Sequence, residues 1–136
     1  MLFKDETYVV PTGVSEEAVM FIRRAHALLA QARHAEPAEK LEYSMQAAFR
    51  VAGAVIAQRP AKRRRGSSSA WVRLRAVAPE YAEWADVFEE FMPLREDVRM
   101  GLNFNPDELT VVRINSQATQ FLAIIEDEMG VLPAVA

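Results

Sequence analysis

Apolar residues recur along the chain at steps of three and four positions, the spacing typical of helices that bury one face. Five segments carry such a stripe, and no alternation typical of strands is long enough to compete. Short connections between the segments favour antiparallel neighbours. We therefore predict one all-α domain over residues 1–136, an up-and-down bundle of five main helices. The first four stripes include Val19, Ile22 and Leu29; Leu41, Met45 and Val55; Trp71, Leu74 and Ala78; Tyr81, Trp84, Phe88 and Phe91. The fifth includes Val111, Ile114, Phe121 and Ile125.

Residues that favour helix ends locate the boundaries. Residues 1–14 are predicted to form an extended arm, after which Ser15 caps a first helix that reaches about Ala35. The second helix is predicted over residues 37–58. Pro93 is expected to kink or interrupt the fourth helix, and Asn105 is predicted to cap the fifth.

Composition excludes several classes of site. The chain of 136 residues has no Cys and two His, which excludes a disulfide framework, a thiolate nucleophile and a Cys-ligated metal. No Glu or Asp stands three residues before a His, the spacing used in di-metal carboxylate bundles. We expect neither a metal ion nor a cofactor. No targeting signal or apolar span of about 20 residues occurs, so the prediction is a cytoplasmic protein without membrane contact.

The net charge of −3 conceals a polarised chain. Residues 23–79 hold twelve bases and three acids, whereas residues 80–136 hold three bases and twelve acids. Either the basic part meets nucleic acid, or basic helices pack beside acidic ones. The polarity also favours head-to-tail pairing of two copies, because a basic surface on one copy can face an acidic surface on the next.

A basic loop over residues 59–66 leads into three serines that can cap the third helix. Arginine side chains, hydroxyl groups and the free N–H groups of a helix start can together hold a phosphate. The loop lacks the spacing of a P-loop, and a solvated connection that pairs with acidic helices is the alternative. The candidate phosphate or nucleic-acid-binding residues are Arg59, Lys62, Arg63, Arg64, Arg65, Ser67, Ser68 and Ser69.

His26 falls on the apolar stripe of the first helix. Such a histidine is most simply a core or interface residue, but it can also act as a base or ligand. The same alternatives apply to four aromatic residues, which lie either in the core or on a surface that binds a partner protein. The core is favoured because a small bundle needs large side chains inside. These are Trp71, Trp84, Phe88 and Phe91.

The segment 43–57, then Arg59-Pro60, the basic loop, Trp71 and the run Ala78-Pro-Glu-Tyr-Ala-Glu-Trp-Ala85 resemble an actinobacterial family of HEPN-like domains. The similarity extends from about Ala18 to Phe121. It implies a helical bundle that commonly dimerises, and many members of the superfamily are metal-independent ribonucleases or toxins. Their catalytic signature is Arg, four to six residues, then His.

This chain lacks that signature. Before His26 the required positions 19–21 are Val, Met and Phe, and before His34 positions 27–29 are Ala, Leu and Leu. The resemblance therefore implies a homodimeric bundle without the catalytic pair. Taken with the basic loop, it leads to our first hypothesis, a non-catalytic binding or adaptor module that contacts RNA, DNA or a nucleotide through that loop. A ribonuclease with a displaced pair, Arg23 and His26, is the second hypothesis, and a purely structural protein-interaction module is the third.

Overall fold

A computed structural model describes residues 8–59 and 69–133 of the chain. In that part the elements alternate between long helices and short connections, as the stripes predict. They are β1 (Tyr8–Val9), α1 (Glu16–Ala32), α2 (Pro37–Gln58), α3 (Ala70–Val77), a 3-10 turn (Pro79–Tyr81), α4 (Ala82–Arg99), α5 (Glu108–Met129) and β2 (Leu132–Pro133). The five predicted helices and the all-α class are confirmed.

Helix α2 is the centre of the bundle, because it contacts each of the other four helices. Small residues make these close approaches possible, and Ala47, Ala48, Ala52 and Ala54 are fully buried along it. Gly53 contributes in the same way: a Cβ atom placed there would lie 2.9 Å from Cε1 of Phe21 in α1. The ring of Phe21 therefore rests directly against the α2 backbone.

A stack of aromatic rings fills the space between α2, α3, α4 and α5. Trp71 lies between Phe49 and Phe88, with ring centroids 5.2 Å and 5.1 Å apart. Phe121 joins the stack through Trp84, at 5.2 Å. Trp71, Phe88 and Phe121 are fully buried. The expectation that these aromatics form core holds for Trp71 and Phe88, whereas Trp84 and Phe91 are partly buried against it.

Three predicted boundaries were wrong. Helix α1 ends at Ala32, three residues before the predicted end. Helix α4 continues through the exposed Pro93, so the predicted interruption does not occur; Phe88, buried before it, and Arg95, which binds Glu42 after it, hold both segments of the helix. Asp107, not Asn105, caps α5, because its Oδ2 accepts the Thr110 N–H at 3.0 Å.

The two ends of the described chain meet in a small antiparallel pair. Tyr8 is opposite Pro133 and Val9 is opposite Leu132. Two residues of the predicted arm are thus paired with the segment that follows α5, whereas residues 1–7 of that arm lie outside the described residues. No local sequence pattern indicates this pairing. Gly130, at φ +70°, ends α5 and turns the chain toward this pair.

Candidate binding site at the basic loop

The structure describes two of the eight candidate phosphate-binding residues. These are Arg59, where the basic loop leaves α2, and Ser69, where the chain enters α3. The other six candidates, Lys62, Arg63, Arg64, Arg65, Ser67 and Ser68, lie outside the described residues. The described geometry of the candidate site is therefore that of Arg59 and Ser69, at the two ends of the loop.

Arg59 is held by three groups, one at the end of α3 and two in the 3-10 turn that follows it. Its Nη2 donates to Oε2 of Glu80 at 2.5 Å, and its Nη1 donates to the carbonyl of Val77 at 3.3 Å. The guanidinium carbon lies 5.5 Å from the centre of the Tyr81 ring. The hydrogen bond to Glu80 raises the pKa of Arg59 and lowers the pKa of Glu80 to about 2. Arg59 thus acts as an anchor of the loop whose charge is already balanced.

Ser69, one of the three serines predicted as possible caps, caps α3. Its backbone is extended, and its hydroxyl oxygen accepts the N–H of Val72 at 3.2 Å. The hydroxyl lone pair used in this way stabilises the first turn of α3. Arg59 and Ser69 therefore both bind the protein itself.

A cleft of about 330 Å³ lies beside Arg59, between the turn before α1 and the ends of α2 and α5. Gln58 closes one wall, because it accepts the N–H of Ser15 at 2.9 Å and donates to the carbonyl of Gly13 at 2.7 Å. Tyr81 and Glu128 form the opposite wall. Burial raises the pKa of the Tyr81 hydroxyl, and the Glu128 carboxylate acts in the same direction.

The sequence pattern does not indicate this cleft. Its lining comes from four segments separated by tens of residues, and no spacing within any one of them indicates a site. The amide of Gln58 and the carboxylate of Glu128 are ordinary exposed positions when each helix is considered alone. The cleft has a polar wall because the fold brings this amide and this carboxylate close to Arg59.

The ion pairs around the loop cross from the basic part of the chain to the acidic part. Arg75 in α3 binds Asp86 at 2.6 Å and also Glu89, both in α4. Together with the pair of Arg59 and Glu80, these contacts support the interpretation that basic and acidic elements pack together. Neither Arg50 nor Arg73 forms an ion pair within residues 8–59 and 69–133. The acidic residues therefore neutralise only some of the basic residues in this part of the chain.

His26, the alternative catalytic candidate, lies apart from the loop. Its Nε2 is 2.6 Å from Oε2 of Glu126 in α5, and the side chain is 37% exposed while that of Glu126 is 12% exposed. The Tyr8 ring lies 5.9 Å from the His26 ring. The expectation was a core or interface residue; His26 is not in the core, and its bound ring nitrogen joins α1 to α5 at the edge of the bundle. Arg23 stands one helical turn before it on α1.

The described part of the chain contains no group of three or more His, Asp or Glu side chains that could hold a metal ion. None of the helices in residues 8–59 and 69–133 is long and apolar enough to cross a membrane.

Comparison with known proteins adds one finding. A family model described as SAV_6107-like HEPN matches residues 30–126, from the end of α1 into the last turns of α5. The match thus includes the basic loop, both of its anchors, the aromatic stack and Glu126. Neither the curated proteins nor the solved structures include a significant match.

Proposed function

Because the chain belongs to the SAV_6107-like HEPN family, we propose that it is a non-catalytic binding and adaptor module that contacts RNA, DNA or a nucleotide through its basic loop. The observation that carries the proposal is the charge around the loop. Residues 43–79 contain no Asp or Glu, and they hold eight Lys and Arg. A stretch of this kind attracts phosphates through electrostatic contacts that do not depend on base sequence.

The ion pairs of the fold balance two of the bases on either side of the loop. Arg59 and Arg75 are balanced by acids of the 3-10 turn and α4. Four consecutive bases, Lys62–Arg65, stand between two fixed points, Arg59 and Ser69. Fixed ends reduce the number of conformations that the loop loses on binding, which favours affinity. The missing Arg–His signature supports a role in binding and not in cleavage.

Fluorescence anisotropy with a labelled oligouridine tests the proposal. We expect wild-type protein to bind at low salt and to lose affinity as salt rises. In the variant with alanine at positions 62–65, affinity at low salt should fall, and the slope of log K against log salt should shrink by up to about 3, because each contact with a single strand contributes about 0.7.

The matched control replaces two other arginines, Arg33→Ala and Arg73→Ala, which are exposed and form no ion pair in the described part of the chain. If every exposed arginine contributed equally to binding, the salt slope of the control would shrink in proportion to the two charges that it lacks. Absence of binding by the wild type at low salt, or equal slopes for the loop variant and the wild type, would overturn the proposal.

A ribonuclease that uses Arg23 and His26 is a second candidate, and the contact between His26 and Glu126 favours it. A carboxylate that binds one ring nitrogen of a half-exposed histidine orients that histidine for proton transfer. Incubation of pure protein with mixed RNA, alongside His26→Ala and Glu126→Gln, distinguishes the candidates. Cleavage that is lost in His26→Ala and reduced in Glu126→Gln supports the enzyme. Equal cleavage by wild type and His26→Ala excludes it.

The structural alternative that uses the four aromatic residues as a partner surface has less support, because Trp71 and Phe88 are buried in the core. The homodimer that the family resemblance implies stays a prediction.

A further inference from the structure

The turn between α4 and α5 displays large apolar side chains to solvent. Met100, Leu102, Phe104 and Leu109 are between 64% and 86% exposed, with Phe104 the most exposed of them. Isolated exposed apolar residues are ordinary, but four within ten positions form a patch of the kind that marks interaction surfaces. We name residues 100–109 the apolar turn.

The apolar turn is built and held by the chain around it. Gly101, at φ +76°, ends α4, and the N–H groups of Leu102 and Asn103 donate to the carbonyl of Asp97 at 2.8 Å and 3.2 Å. Asn105 donates its N–H to Oδ1 of Asn103 at 3.0 Å. The side chain of Phe104 is therefore presented from a hydrogen-bonded turn, so little backbone freedom is lost if it docks.

A complementary groove lies on α1 and α2. It has a volume of about 280 Å³ and is lined by Glu17, Met20, Phe21, Arg24 and Arg50. Met20 is 50% exposed, and Phe21 rests on Gly53 as described above. For comparison, a cavity of about 150 Å³ in another protein holds benzene. The groove therefore has room for one phenyl ring and part of a neighbouring side chain.

The charges of the two surfaces are opposite. Residues 96–109 hold four acids and one base, and Asp107 and Glu108 are exposed beside the apolar turn. The groove holds two arginines and one acid, and neither Arg24 nor Arg50 forms an ion pair within the described residues. An apolar contact with acids on one side and arginines on the other is both attractive and orienting.

One copy cannot join its own two surfaces. The end of α4 lies beside the beginning of α2, since Arg95 binds Glu42 at 2.9 Å, whereas the groove lies nearer the other end of α2, at Arg50 and Gly53. The two surfaces are thus at different levels of the bundle. We propose that the groove of one copy takes Phe104 of a second copy, so that copies associate head to tail.

Such an interface joins two different surfaces. Where one two-fold rotation lets each copy fill the other's groove, the pair is closed and association stops at a dimer; otherwise one groove and one apolar turn stay open and association continues to a ring or a filament. This arrangement is independent of the proposed phosphate contact, because neither surface includes the basic loop.

Light scattering coupled to size exclusion, repeated over a range of protein concentrations up to millimolar, tests the proposal. We expect the mass of the wild type to rise with concentration from that of a monomer to that of a dimer or a larger assembly. Phe104→Ser should be a monomer because its turn no longer docks, and a protein with both Arg24→Glu and Arg50→Glu should be a monomer because its groove repels the acidic turn.

The decisive measurement mixes these two variants in equal amounts. The Phe104→Ser protein keeps an intact groove, and the groove variant keeps an intact turn, so the mixture should form a one-to-one dimer and nothing larger. Formation of this dimer also shows that both variants are folded. Matched controls are Val72→Ser, which removes an exposed apolar side chain elsewhere, and a protein with both Arg33→Glu and Arg73→Glu; both should associate like the wild type.

Three results would overturn the proposal. The first is a wild type that stays monomeric to millimolar concentration. The second is a dimer that neither variant alters, which places the interface on another face. The third is a mixture of the two variants that remains monomeric while circular dichroism shows both to be folded.

Discussion

Arg95 of α4 donates two hydrogen bonds to the carboxylate of Glu42 in α2. Its Nε and Nη2 each lie 2.9 Å from a different carboxylate oxygen, and its guanidinium carbon lies 5.0 Å from the centre of the Phe49 ring. Both charged side chains are less than a third exposed. The pair therefore connects the start of the central helix to the acidic helix α4, beside the aromatic stack.

The first prediction concerns the loss of this pair. Arg95→Ala should lower the free energy of unfolding by about 2 kcal/mol, because it leaves the Glu42 carboxylate partly buried without its charged donor. Urea unfolding followed by circular dichroism measures the change. Arg99→Ala is the control, since its contact with Glu96 is exposed and 3.9 Å long, and it should cost well under half as much.

The second prediction follows from the pKa of Glu42. Burial opposes its ionisation, but hydrogen bonds from Arg95 and Gln46 outweigh burial, so the pKa of Glu42 is below its ordinary value of 4.5. A carboxyl with a lowered pKa stabilises the fold above its ordinary pKa, and this contribution is lost as pH falls through the lowered value. Wild type should therefore be more stable than Glu42→Gln at neutral pH, and the difference should shrink below pH 4.5. A difference that is constant with pH would contradict this account.

The third prediction concerns Gly53 and Phe21. Alanine is favoured over glycine inside a helix by about 1 kcal/mol, but a Cβ atom at position 53 would come 2.9 Å from the Phe21 ring. In a Phe21→Ala background, Gly53→Ala should raise the free energy of unfolding by about 1 kcal/mol. In the wild-type background the gain should be reduced or reversed, because the ring must move. A double-mutant cycle measures the coupling, and a coupling energy near zero would show that the ring adjusts freely.

The fourth prediction concerns the start of α5. Asp107 accepts both the N–H and the hydroxyl of Thr110, each at 3.0 Å, so Asp107→Ala should cost about 1 kcal/mol. Asn105→Ala, two residues earlier on the same turn, should have little effect, because no hydrogen bond of its side chain occurs in the described part of the chain. Thermal unfolding of both variants gives the comparison, and equal losses would mean that Asp107 is not the cap.

The fifth prediction concerns Trp71, whose indole N–H is buried with no hydrogen-bond partner in residues 8–59 and 69–133. Trp71→Ala should cost about 3–5 kcal/mol, because it leaves a cavity in the aromatic stack. Trp71→Phe should cost much less, since it keeps a stacked ring and removes an unpaired donor that costs about 1–3 kcal/mol when buried. Chemical denaturation of the two variants tests this, and similar losses would imply that the indole N–H has a partner.

Much of the local structure could be predicted from the chain. The bounds of α2, from Pro37 to Gln58, agree with the prediction at both ends, Ser15 caps α1 as predicted, and the cap of α3 is one of the three serines that were predicted as possible caps. The errors at Asn105 and Pro93 have the same origin. Several residues near the start of a helix can cap it, and a proline can either end a helix or lie within it. In both cases the packing of the neighbouring segments decides the outcome.

The candidate site was only partly predictable. The basic loop is evident as a run of charges, but Glu80 and Tyr81, which hold Arg59, and Glu128, which closes the cleft, follow no local pattern. The same is true of Glu126 as the partner of His26, one hundred residues away. A single helix period places each of these residues on a face but does not say which other face it meets.

The sequence alone therefore determined the class of fold, the helices and their buried stripes, and the separation of basic from acidic charge. These properties depend on hydrogen bonds and side-chain contacts within four residues along a helix, so a local pattern encodes them. Only the tertiary structure decided which charges are neutralised, where the clefts lie, and that Phe104 and its neighbours stay exposed. Those features depend on contacts between residues far apart in the chain, whose free energy is realised only when the helices pack.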